Sequence, residues 1–235
     1  MKQLLTIFLC LIAATASTVA QTRIKAADII KQINEGRIVQ YSNVEIEGNL
    51  DLTDLQNRSL DRKVNNWLSD NDHGTYESVV EVPVNFTNCT FLDDVLAYYH
   101  LERRHETYVA HFEKDVVFKD CVFKKGSEFK YSEFNGAATF SGCTFNDPAN
   151  FKYAEFSSGP SFSNTKFESG ADFKYTEFPR GTSFEKASFH GLANFKYSKF
   201  RSPLNLDGVA FKGNEDFKYT KIDGDSFTSY LLSKQ

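Results

Sequence analysis

Phe-Lys-Tyr begins at residues 129, 151, 173, 195 and 217, each copy 22 residues after the last. A lysine beside a tyrosine is a pairing suited to binding: the ammonium attracts anions, and the phenol gives a flat amphipathic surface. Recurrence at a fixed interval is the mark of stacked structural repeats. Stacking would set Lys130, Lys152, Lys174, Lys196 and Lys218 in one outward column and Tyr131, Tyr153, Tyr175, Tyr197 and Tyr219 in another. Stacked tyrosines make a stabilising ladder, whereas like charges directly opposite one another repel. Glu133, Glu155 and Glu177 offer partners to the first three lysines, and Lys199 and Lys221 replace them in the last two rungs. Lys196, Tyr197, Lys199, Arg201, Lys218, Tyr219 and Lys221 are therefore expected to form a basic, tyrosine-lined patch. Its expected ligand is an anionic polymer of the cell envelope.

A second candidate is an insertion placed at 92–106, where Tyr98, Tyr99, His100, Arg103, Arg104 and His105 could form a protein-binding surface. Insertions in repeat proteins commonly lie on one face. His100 and His105 are five apart, not the i, i+4 spacing of a metal-binding helix, so no metal site is expected. Asp93 and Asp94 are adjacent carboxylates with no placed partner, which is weak ground for acid–base chemistry. GxSxG, HExxH, P-loop and GxGxxG patterns are missing from the sequence. No catalytic residue, cofactor or metal is expected. Formal net charge is −4, too mild for a nucleic-acid binder driven by phosphate contacts or for a wholesale acidic mimic of DNA.

The element that must position these residues is set by phenylalanine, which supplies 23 of 235 residues. From Phe118 to Phe200 it recurs in alternating steps of five and six, continued by Leu206, Phe211, Phe217 and Ile222. Such steps fit neither a 3.6-residue helix nor one long strand. They fit a chain that turns a corner after every short extended segment, with four segments to a coil and coils stacked about 4.8 Å apart. The residue two before each Phe shares its face and is usually small, as at Ala149, Ala154 and Thr176. The six-residue steps contain Gly126, Gly136, Gly159, Gly170, Gly181, Gly191 and Gly213, read as corners whose backbone angles need glycine.

Ala-Asn-Phe-Lys-Tyr-Ala-Glu-Phe (149–156) and Ala-Asp-Phe-Lys-Tyr-Thr-Glu-Phe (171–178) resemble the units of pentapeptide-repeat proteins. The resemblance implies an all-β solenoid, a right-handed quadrilateral β-helix with inward Phe and inward small residues. The family's usual coil is shorter, so this is a Phe-rich variant with lengthened corners. Binding to DNA gyrase, the family's best-known activity, is not carried over to a chain read as exported.

Five segments are expected. Residues 1–20 read as a secretory signal peptide, with a basic start, an apolar run and small residues before Gln21, and so as export to the periplasm or exterior. Residues 21–37 hold an N-terminal capping helix over Ile24–Glu35, with Gly36 as its C′ residue. Irregular coils fill 38–111, with insertions near 56–79 and 92–106; regular coils fill 112–227; and 228–235 form a thin tail that leaves the C-terminal end able to pair with a second copy. After export three cysteines remain, Cys89, Cys121 and Cys143, all two before a Phe and so facing inward. In-register side chains run parallel, which disfavours a Cys89–Cys121 disulfide. The reading is a non-catalytic binding or scaffold protein, with no nucleic-acid partner and no membrane span. The alternatives are a protein-interaction module using the insertion or the C-terminal end and, on fold analogy alone, a glycan-active enzyme.

Overall fold

The steps of five and six fold into short parallel strands that climb in seven coils. The structure, a computed structural model, describes residues 21–61 and 74–232. The expected signal peptide and Trp67 lie outside these residues. Successive coils pair in register, so that Phe123 sits beside Phe145 and Glu133 beside Glu155. Four sides result, each a ladder of strands, the longest holding the strands Thr75–Val80, Glu106–Phe112, Glu133–Phe134 and their successors.

Every inward phenylalanine from Phe112 to Phe200 is at most 7% exposed. Between coils their rings stack nearly parallel with centroids 4.5–6.1 Å apart, as in Phe123–Phe145 and Phe156–Phe178. Within a coil they meet edge to face, as in Phe140–Phe151. Both are favoured quadrupole geometries, so one residue type fills the interior at close density. Four inward hydroxyls are satisfied one coil away: Thr165, Thr176, Ser198 and Thr220 donate to the carbonyls of Phe140, Phe151, Phe173 and Phe195, whereas the buried Ser127 and Ser132 hydroxyls have no partner among the described residues. The cysteines use the same position, with the Cys121 and Cys143 thiols donating to Phe86 and Phe118 carbonyls. All three thiols are buried and free. The Cys143 thiol and burial push Cys121 up to about 12, and the Cys121 thiol and burial push Cys89 up as well.

The glycines serve a different purpose from the one expected. Among the seven in the six-residue steps only Gly181 has positive φ. Gly191 is required by proximity, since a Cβ there would lie 2.4 Å from the Ser169 carbonyl oxygen. Left-handed residues fall instead in the five-residue steps, and from Phe129 onward each of these is a turn in which the fourth residue's N–H donates to the first residue's carbonyl, as from Ala154 to Phe151.

Thr22–Lys25 pairs in parallel with Val44–Glu47, so Ile24 and Lys25 extend the second side instead of starting the helix. Helix α1 spans Ala26–Asn34. It ends as expected at Gly36, φ +66°, with Gly36 and Arg37 N–H groups donating to the Ile33 and Gln32 carbonyls. At the other end Asp225–Ser226 folds back on Lys221–Ile222, and α2 (Phe227–Leu232) sets Phe227 against Phe200 and Phe217.

The second insertion lies further along than expected. Val95–Leu96 pairs with Leu50–Asp51 and Ser127–Glu128, which makes residues 92–97 ordinary coil. The extra residues form a hairpin, Tyr98–Leu101 against Glu106–Val109, closed by a 3-10 turn at Glu102–Arg104. The first insertion leaves its coil at the same corner and returns through Thr75–Val80, which pairs with Glu106–Phe112 along Thr107–Phe112. Both insertions thus take the corner that Phe-Lys-Tyr occupies in later coils, and together they build a small sheet, a wing, beside the tyrosine column.

Candidate binding face

Five tyrosines hold the third position of their turns at φ +58° to +64°. The equivalent turns on another corner use Asn88, Asp120, Gly142 and Asn164, residues that tolerate this conformation. A left-handed backbone costs a bulky residue about 1–2 kcal/mol. The rings recover that cost by stacking: Tyr131–Tyr153, Tyr153–Tyr175, Tyr175–Tyr197 and Tyr197–Tyr219 have centroids 4.6–4.9 Å apart and planes within 19°.

The lysines also differ from expectation. The Lys130, Lys152, Lys174, Lys196 and Lys218 ammonium groups lie 4.8–5.6 Å from the ring centres of their own tyrosines. Among the described residues none of the five is in an ion pair, and Glu133, Glu155 and Glu177 do not reach the first three. Glu177 instead pairs with Lys199, 2.5 Å away and directly beside it in the sheet. The patch is therefore divided. Lys196 and Lys218 with Tyr197 and Tyr219 end the ladder, while Lys199 and Lys221 share the neighbouring side, with Lys199 held by an acid. Asp223 lies near Arg201; hydrogen bonds from Ser202, with Arg201 and Arg180 nearby, hold its carboxyl below the usual range. Tyr219 is 58% exposed, so its outer face is open at the end of the stack.

The hairpin residues meet the other end. Lys130 donates to the Tyr98 hydroxyl at 3.1 Å and lies 4.5 Å from that ring's centre, and Tyr98 leans on Tyr131 with centroids 5.9 Å apart. His100 bonds Thr107, His105 takes φ +52° at the hairpin end, and Arg104 lies 3.9 Å from Glu106. Arg103 is exposed, as is Tyr99 beside the Tyr76–Tyr108 stack. The two candidate groups are thus joined by the ladder. Asp93 accepts the Gly48 N–H at 2.7 Å and belongs to an ordinary corner. Among the described residues no cluster of His, Cys, Asp or Glu is arranged to hold a metal.

One feature escapes the sequence reading. Tyr131, Tyr153, Tyr175 and Tyr197 form the wall of a groove of about 650 Å³, completed by Glu133, Glu155, Glu177 and the inner face of the wing. His111 stands at its head, where Nδ1 accepts the Glu133 N–H at 3.2 Å and Nε2 lies 3.6 Å from Glu77. The 22-residue period places the glutamates, but the wing comes from strand pairing between two insertions of different length.

Parallel in-register coils around a phenylalanine core, with an outer face of repeated side chains, define a β-helical repeat protein. The pentapeptide-repeat pattern matches residues 110–155, 129–177, 151–199 and 173–221. Residues 110–221 are pentapeptide repeats, Phe-rich ones, and the chain folds as a quadrilateral β-helix. Proteins of this family are generally non-enzymatic structural or interaction proteins. Comparison with curated proteins and with solved structures finds no match to this chain. Among the described residues no helix is long and apolar enough to cross a membrane.

Proposed function

We propose that this chain is an exported, non-catalytic binding module that holds an anionic polymer of the cell envelope along its lysine and tyrosine columns. The supporting observation is the row of five lysines on consecutive coils, each over a tyrosine ring and none in an ion pair among the described residues. A linear polyanion would bring its charges to such a row, and the attraction would weaken with salt. Lys199 is engaged by Glu177, so Lys196, Lys218 and their column carry more of the contact than Lys199. Export rests on the signal-like residues 1–20. The test is retention of the purified protein on envelope fractions and on immobilised polyphosphate as salt is raised. Replacing the five column lysines by glutamine should abolish retention, and unchanged retention would refute the proposal.

A second reading is a protein partner at the hairpin. It is favoured by exposed Tyr99 beside stacked Tyr76 and Tyr108, with Arg58 over the Tyr108 ring at 5.4 Å, the residue types that anchor interfaces. Replacing Tyr99 and Arg104 by alanine should then abolish partner capture without affecting polymer retention. Pairing of two copies through the C-terminal end is supported by the partial exposure of Phe211 and Phe217 there, and the mass measured by sedimentation as the protein is diluted is its check.

A further inference from the structure

The groove on the glutamate flank of the ladder calls for a ligand of opposite charge to the one the lysines attract. Glu133, Glu155 and Glu177 stand in direct register on three consecutive coils. Like charges so placed destabilise a sheet unless something neutralises them. Lys199 does this for Glu177. Glu133 and Glu77 face one imidazole, His111, whose Nδ1 is taken by the Glu133 N–H and whose Nε2 lies 3.6 Å from Glu77. Glu155 has no ion-pair partner among the described residues. The opposite wall narrows the choice of ligand. Its tyrosines stack face to face, so only ring edges and hydroxyls line the groove. Ring faces for stacking on a sugar are already occupied. What remains is a line of carboxylate and phenol oxygens, acceptors that suit N–H donors bearing positive charge.

We propose that this groove binds a linear oligoamine, with successive ammonium groups on Glu133, Glu155 and Glu77 and the alkyl spacers along the tyrosine edges. From Glu77 to Glu177 the groove runs four coil steps of about 4.8 Å each, enough for an extended chain with several nitrogens. Lys199 and Lys221 follow in the same column and close that end to cations. None of the five ladder lysines lines the groove, so this site shares only the tyrosine column with the polyanion surface.

The probe is spermine, titrated calorimetrically into the full chain at low salt. Saturable binding is expected. Glu133→Gln with Glu155→Gln should weaken it about tenfold or more, a loss of about 1.4 kcal/mol or more. Glu47→Gln with Glu215→Gln removes the same charge outside the groove and should change it little. Glu155→Gln alone, which breaks no ion pair, should weaken it in part and covers the case in which the double variant does not fold. The variant lacking the five ladder lysines should still bind spermine, which separates this site from the polyanion proposal. Absence of saturable binding, or equal weakening by the two double variants, would overturn the inference.

Discussion

Replacing Tyr153 by asparagine sets two local energies against each other. Its φ of +58° is a conformation asparagine tolerates, so the change relieves about 1 kcal/mol of backbone strain. The same change removes stacking on Tyr131 at 4.9 Å and on Tyr175 at 4.6 Å, about 0.5–1.5 kcal/mol each. It also removes the ring beneath the Lys152 ammonium, at 5.2 Å, about 0.5 kcal/mol more. The expected outcome is a net loss of about 0.5–2.5 kcal/mol. Lys186 supplies the reference. It holds φ +53° at the equivalent turn of another corner, with no ring stack, and its exposed ammonium pairs with Glu185 at 3.3 Å. Lys186→Asn should therefore gain about 0–1 kcal/mol, since an exposed ion pair contributes little. Thermal melts followed by circular dichroism would read a separation of about 2 kcal/mol as about 4–8 °C at this chain length. If Tyr153→Asn proves as stable as Lys186→Asn, the ladder contributes nothing to stability and stacking does not offset the strain.

Three further outcomes are expected. Phe151 is packed by stacked Phe129 and Phe173 and by the edges of Phe140 and Phe162, so Phe151→Ala should cost about 3–5 kcal/mol in urea denaturation and Phe151→Leu much less; equal costs would mean that the core is not close-packed. Gly191→Ala should lower the melting temperature because its Cβ meets the Ser169 backbone at 2.4 Å, while Gly170→Ala, whose nearest atom is 3.8 Å away, should not; the reverse order would remove the close-approach explanation. Burial raises the Glu128 carboxyl above its unfolded value, a cost present above the folded pKa and lost as pH falls toward the unfolded one, so Glu128→Gln should stabilise near neutrality and lose that advantage by about pH 4; an advantage constant with pH would count against it.

The coil was legible because its signal is redundant: each Phe is repeated in register, and the turn and the inward small residue recur with it. The lysine column could be placed from the same period, but not the direction of its ammonium groups. Lys130, Lys152 and Lys174 fold over their tyrosines because a positive-φ turn carries each ring beside them, and nothing in the spacing of glutamates reveals that. The reason for the glycines was also hidden. Spacing marks Gly191 as a corner, whereas the need for glycine there arises from the coil below. Insertion boundaries slipped at 92–97 because Val95 and Ala97 are inward residues that break the phenylalanine rule without leaving the coil.

Both insertions leave and rejoin the coil at one corner, and the strands on either side keep their pairing across them, Leu50 with Val95 and Val80 with Phe112. Viewed down the axis, all the gain in length falls on a single meridian of the cylinder. Extra chain there moves no core residue by even one position, because register is restored before the next strand begins. The meridian is also the one that bears the tyrosines. The protein therefore separates the length of its displayed surface from that of its interior: at that longitude a rung is twice exchanged for a longer insertion, and the core beneath it continues in register.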